Sequence, residues 1–281
     1  MNETQRKKWR DEWNRQLDIA VRSEVGAIRR FYIEQYDKGI ADFLGNNQTR
    51  NFFNIFKFVD FVDIYVQLYR RVGLRFAKWA FTELEGRETK AVSMDDRLAI
   101  WEDTFVASGY KIGRSKIVIV QGTALRTLET ELTRLMRDPE FMAMGNEQRG
   151  RILRQRFNKI SQYQAERISR TESAIAAQDA TRTASFDFYG GPENCDKVWN
   201  HAGTREPRSA HIALDGLRIP ATQKFNVNGF YTNEPRGPEL PVGEIANCGC
   251  SATYVRKEPK QGIDPVFAAA LATLLINDDD E

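Results

Sequence analysis

Between Met1 and Tyr189 the chain has a single proline, Pro139, and the eight others all follow Gly190-Gly191. All three cysteines (Cys195, Cys248, Cys250) and both histidines (His201, His211) also lie in that second part. Proline breaks a helix interior, so the first stretch is free to form long helices and the second is not. The chain therefore divides near residue 190. Its 281 residues suit two domains or one large one, at about 150 residues per domain. With 41 Lys+Arg against 39 Asp+Glu, the net charge of +2 argues against the strongly basic composition of a dedicated nucleic-acid binder.

Residues 1 to 189 carry the helical period. Trp9, Trp13, Leu17, Val25, Ile28, Tyr32, Tyr36, Ile40 and Phe43 fall on one face of a helix from Lys7 to Phe43. From Asn51 to Leu68 apolar residues dominate, interrupted at Asn54, Lys57, Asp60, Asp63 and Gln67. That spacing predicts one narrow polar stripe on a helix buried over most of its surface and running on toward Leu84. Its charges argue against a membrane span. Ser93 and Asp96 suggest a cap opening Met94 to Ser108, with Gly109 as the stop. Lys116 to Met136 follows the Leu125, Leu128, Leu132, Leu135 spacing of a helix, although Ile117 to Val120 has the composition of a strand. Asn146 and Ser161 then read as caps of two further helices, ending near Ile160 and Ser185.

After Gly190 come short apolar pieces among Gly, Pro and Asn. Lys197 to Trp199, Arg218-Ile219, Lys224-Phe225 and Ala252 to Val255 are strand-sized, and Arg205 to Ile212 has room for a helical turn. Asn226 to Gly229 and Pro235 to Pro238 read as loops. The expected fold is a mainly α N-terminal region followed by a small, loop-rich α+β module. A small module of this kind needs a staple or a neighbour. Cys195, His211, Cys248 and Cys250 together make a Cys3His set suited to structural zinc. Buried thiols without metal and a disulfide are the alternatives, the last disfavoured by the absence of a secretion signal at the start of the chain. The chain reads as cytosolic in type, with no membrane partner.

Catalysis has little support in the sequence. His211 and Asp215 are four apart, but no nucleophile stands in a recognisable setting, and no phosphate-binding glycine loop is present. Glu172 reads as a buried carboxylate paired with a neighbouring Arg. Arg149, Arg151, Arg154, Arg156 and Lys159 form a basic run that suits either a solvated face or contact with DNA or an acidic partner. Pro265 to Ile276 is apolar and precedes the acidic end Asp278 to Glu281, as a docking element with a solubilising tail would.

Four pieces in register carry a resemblance: Arg170-Thr171-Glu172 on a helix, Lys197-Val198-Trp199, Arg208 to Gly216 with His211 and Leu214-Asp215-Gly216, and Asn247-Cys248-Gly249-Cys250. In order and spacing this resembles the tailed-phage head morphogenesis family, the minor head proteins similar to protein F of phage Mu, over roughly residues 120 to 256. Gly249 replaces the basic residue of the family's N-C-R-C. Some members carry a C-x-x-C before L-D-G, completing a zinc knuckle; here that stretch offers only His211. An Arg208–Asp215 pair across the turn is the metal-free alternative. The resemblance implies a structural, non-catalytic minor capsid protein in the virion, inside the head at the portal vertex, reached from the host cytoplasm during assembly. Its implied partners are the portal protein, the major capsid or scaffolding protein, and packaged DNA, with roles in procapsid assembly and DNA packaging or ejection. The expected division is a helical docking region over 1–115, the helical part of the family domain over 116–189, the Cys/His module over 190–258, and the apolar segment with acidic tail over 259–281. A toxin-like enzyme and a zinc-stabilised DNA-binding protein are the rival readings.

Overall fold

The computed structural model describes residues 1–48, 55–86, 93–201, 207–245 and 248–257. Asn247, the apolar segment Pro265 to Ile276 and the acidic end lie outside the described residues. The body is built from four long helices: α1 (Glu3–Asn46), α2 (Phe61–Glu85), α3 (Asp95–Met136), then a short α4 (Pro139–Ala143), and α5 (Asn146–Tyr189). Among the described residues no helix is long and apolar enough to cross a membrane.

α1 opens with a reciprocal cap. The Asn2 side chain accepts from Gln5 N–H while the Gln5 side chain accepts from Asn2 N–H, both at 2.9 Å, satisfying two otherwise orphaned donors. It ends at Asn47, which adopts a left-handed conformation (φ 55°) that Asn tolerates. α5 packs against both α1 and α2, and α3 packs against α2. One aromatic-rich core fills the space between them, including Trp13, Tyr36, Phe58, Phe61, Tyr69, Phe76, Phe81, Trp101 and Phe188.

Three expectations about the helices are corrected. The apolar run is not one helix continuing toward Leu84; residues 51–54 lie outside the described residues, and the described residues 56–58 lie outside any helix. Phe56, Lys57 and Phe58 run without regular structure, and α2 starts at Phe61. Phe56 and Phe58 still fill the core, at 2% and 1% exposure, while Lys57 N–H donates to the Gln35 side chain at 3.0 Å. Their apolar character follows from burial beside α1, so the sequence shows the core face without the backbone that delivers it.

Gly109 does not stop a helix. α3 runs through it and through Gly113 to Met136, so the boundary expected at residue 115 falls inside one element. A Cβ on Gly109 would lie 2.7 Å from Val66 Cα, and one on Gly113 would lie 3.1 Å from Tyr65 Cβ. These glycines sit one turn apart and let the α2 and α3 backbones approach. Ser161 likewise caps nothing. It is fully buried inside α5, a single helix of 44 residues.

The module begins after Gly190, which closes α5 in the left-handed conformation at φ 78°. A 3-10 turn (Pro192–Asn194) leads into β1 (Cys195–Asn200). Next come α6 (Ser209–Ala213), β2 (Arg218–Pro220), β3 (Phe225–Val227), β4 (Phe230–Thr232), α7 (Val242–Ile245) and β5 (Ser251–Arg256). β1 is the central strand of an antiparallel sheet ordered β2-β1-β5, pairing Lys197 with Ile219 on one side and with Tyr254 on the other. β3 and β4 form a hairpin. Its Asn228 and Gly229 both have positive φ (52° and 87°), as the favoured two-residue hairpin turn requires. A segment read as loop is therefore a paired ribbon.

The module is fastened to two helices of the body. Gln178 on α5 accepts from Ala252 N–H at 2.8 Å and donates to Ala252 C=O at 3.3 Å, so it extends the β5 edge. Arg6 on α1 pairs with Asp215 at 3.1 Å, and Arg10 donates to the His201 carbonyl at 3.0 Å. Trp199, Leu214, Phe225, Val227, Leu240, Cys248 and Cys250 form a second, smaller core inside the module.

Candidate metal centre

His211 lies on the one-turn helix α6, whose N–H groups at His211 and Ile212 both donate to Arg208 C=O at 3.0 Å. Cys248 and Cys250 lie between α7 and β5, where Cys248 N–H donates to Ile245 C=O at 3.2 Å. Separated by only one glycine, the two thiols turn to the same side and meet the imidazole. His211 Nδ1 is 3.5 Å from Cys248 Sγ and 3.6 Å from Cys250 Sγ. His211 and Cys250 are each 2% exposed and Cys248 9%. Among the described residues these three form the only group of His, Cys, Asp and Glu side chains placed to hold a metal ion, with all three donor atoms within 4.8 Å of one another.

The geometry fits an ion. A tetrahedral centre bonded at about 2.3 Å to sulfur and about 2.05 Å to nitrogen has S···N edges of about 3.6 Å. The two observed S···N separations match those edges. The other imidazole nitrogen, Nε2, lies 2.9 Å from Glu244 Oε2 on α7. With the Glu244 carboxylate at hydrogen-bond distance from Nε2, the imidazole presents Nδ1 to the thiols, and Nδ1 is the nitrogen that would ligate a bound ion. That arrangement commonly orients a ligating histidine. Arg208 Nε lies 3.7 Å from the same Glu244 oxygen. The Trp199 ring meets His211 edge-on at 5.6 Å and covers the imidazole from the β1 side.

Arg236 holds the thiol turn from beneath. Its guanidinium donates to Cys248 C=O at 2.6 Å and to Cys250 C=O at 2.7 Å, and it lies 5.3 Å from the centroid of the Trp13 ring on α1. The residue is 2% exposed and takes a positive φ of 64°, a strained conformation for a side chain of this size. The contacts to Cys250 and His211, together with the nearby Arg236 charge, hold the Cys248 thiol down at about 3, overcoming the opposing effect of burial. A thiolate is the form that binds metal.

Cys195 does not belong to this group, so the Cys3His set is corrected to Cys2His. Its thiol faces the main helical core and lies 3.7 and 3.8 Å from the carbonyls of Gly191 and Pro192. Burial pushes it up to about 12, which keeps it a neutral thiol. On β1 the face of a side chain depends on strand parity and on which core lies on each side, and the second fact is absent from the sequence. The three cysteines are free thiols.

The other motif residues have structural roles. Glu172 is buried, but its partner is Lys116 at 2.6 Å on α3, with the Tyr69 hydroxyl donating at 3.1 Å, rather than an arginine. Arg170 is exposed and Thr171 half-buried beside it. Asp215 neither pairs with Arg208 nor serves His211. It binds Arg6 and accepts His201 N–H at 2.9 Å. Gly216 has φ 79°, and a Cβ there would lie 3.0 Å from the Arg6 guanidinium.

The basic run does not share one face. Arg149 is buried against Asn47 and Asn146, and Arg156 pairs with Glu131. Arg151 pairs with Glu147 at 3.2 Å and Arg154 with Asp37 at 3.8 Å, both in the open, and Lys159 is exposed. Glu244 and Arg236 carry no sequence signal of their roles. Glu244 stands four residues before Cys248, and Arg236 sits in a Pro-Arg-Gly-Pro loop that resembles any other turn. In comparisons with known proteins, the chain matches no family model, no curated protein and no solved structure.

Proposed function

We propose that this chain is a minor head protein of a tailed phage, structural and non-catalytic, which sits at the portal vertex inside the capsid and acts in procapsid assembly and in DNA packaging or ejection. The observation that supports this reading best is that the motif residues are parts of one folded frame. Glu172 ties α5 to α2 and α3. Trp199, His211 and Cys248 fill the module's own core, and Asp215 and Gly216 receive Arg6 from α1. Residues with those roles preserve a shape, which suits a component held in a larger assembly. The ion at His211, Cys248 and Cys250 is zinc in this reading, because a thiolate–imidazole set of tetrahedral dimensions suits that metal. Bound there, it links α6 to the turn before β5.

Docking does not use the apolar run after Asn51 as a detachable arm, because Phe56, Phe58 and Phe61 are buried in the common core. In this reading the docking residues include Val118 and Ile119, which α3 exposes at 73% and 69%. The test is to purify phage heads and measure on one sample the copies of this chain per head and its metal content. The expected result is few copies per head, about one zinc per chain, zinc lost in Cys248→Ser/Cys250→Ser, and incorporation lost in Val118→Lys/Ile119→Lys with unchanged helix content. Absence of the chain from purified heads overturns the assignment.

A further inference from the structure

Along the outer seam of α1 and α5 lies a concavity of about 480 Å³, lined by none of the thiol-centre residues and unused by the reading above. Three arginines line it: Arg22 from α1, and Arg167 and Arg170 from α5, one helical turn apart. None has a carboxylate within ion-pair distance among the described residues. Arg22 Nε donates only to the backbone carbonyl of Asp18, at 3.2 Å. Arg167 lies 5.8 Å from the centroid of the Tyr163 ring. The one acidic side chain in the concavity, Glu166, accepts from Gln162 instead. Elsewhere on α5, Arg151, Arg154, Arg156 and Arg182 meet carboxylates and Arg149 meets the Asn47 and Asn146 side chains. Tyr163 is 64% exposed at the wall of this concavity.

The geometry points to a binding groove for single-stranded nucleic acid, with the arginines on successive phosphates and Tyr163 as a platform for a base. An aromatic ring set in a basic groove is the general means of holding such strands. The concavity has the volume of a small-ligand site, enough for one nucleotide unit. The exposed Tyr163 ring favours one strand over two, because the unstacked bases of a single strand can reach it and the stacked bases of a duplex cannot. This inference goes beyond the minor-head reading and does not depend on it.

The test uses the full chain with a labelled 12-nucleotide single strand, the matching duplex and inorganic tripolyphosphate, read by fluorescence anisotropy across a salt series. The expected result is single-strand binding at least tenfold tighter than duplex. Tyr163→Leu should weaken it about tenfold. Arg167→Ala/Arg170→Ala should lower the salt slope by about 1.4, at about 0.7 for each phosphate that is no longer neutralised. Lys111→Ala/Arg114→Ala, exposed on α3, should leave it unchanged, and circular dichroism melts confirm that every variant folds. Equal binding of strand and duplex overturns the proposal. So does wild-type affinity in both groove variants, or tripolyphosphate competing as well as the strand.

Discussion

Glu234 Oε1 lies 2.7 Å from Arg182 Nη1 on α5, whereas its Oε2 has no hydrogen-bond partner. Burial pushes this carboxyl up to about 7, against the pull of Arg182 and Lys197, with Asp179 and Glu239 pushing the same way as burial. Lys197, which donates to Asn233 C=O at 2.7 Å, is drawn down by burial to about 8. A raised carboxyl pKa means the folded state favours the protonated form. Its contribution is therefore whole below about 4.5 and is lost as pH rises toward 7. The Lys197 penalty is already complete below pH 8 and stays constant across that window. Thermal melts of Glu234→Gln should accordingly lose the decline in stability that the parent shows between pH 5 and 7, a difference of at most about 3 kcal/mol. Parallel pH profiles would show that Glu234 is charged throughout. At this scale the sequence was legible where residue type fixes chemistry, as for His211 with Cys248 and Cys250. It was silent where a partner comes from a distant element, as for Lys116 with Glu172 or Arg236 beneath the thiols.

Helix length was the least legible property at the level of elements, because cap residues and glycines have two meanings. Ser161 has a capping side chain, but the apolar stripe of α5 continues across it. Gly109 resembles a stop, but it is a point of contact between α2 and α3. Gly122, thirteen residues further along α3, has nothing within 4 Å of a Cβ. The two glycines should therefore respond in opposite ways. Gly109→Ala forces a Cβ against Val66 Cα and should cost about 1–3 kcal/mol by urea denaturation. Gly122→Ala should add up to about 1 kcal/mol through helix propensity alone. Loss of stability in both would mean that the approach of the helices is unimportant. The strands were found more readily, since β1 and β5 are short apolar runs between turn residues. The β3–β4 hairpin was missed although Asn228-Gly229 is the strongest short-range signal for one.

The change of composition at residue 190 marks a real change of architecture in the whole molecule, from long helices to short strands and turns, but it does not mark independence. Arg236 lies against Trp13, Arg6 against Asp215, and Gln178 against β5, so the module leans on α1 and α5 together. Removing metal with a chelator should loosen the module and spare the far side of the body. Hydrogen exchange followed by mass spectrometry should show faster exchange at α6 and at residues 248–251, with α2 and α3 protected as before. Uniform loss of protection would show that the centre holds the entire chain together.

The contact between Arg6 and Asp215 joins residues 209 positions apart, and this bears on how the protein is made. A ribosome working at about 5–20 residues per second releases α1 roughly 7–30 seconds before α5, its main packing partner, is complete. Over that interval the apolar face carrying Trp9, Trp13, Tyr32, Tyr36 and Phe43 has only α2 to cover it. The nascent chain is thus exposed to self-association, and holding chaperones that bind aromatic segments should govern its yield in the cell.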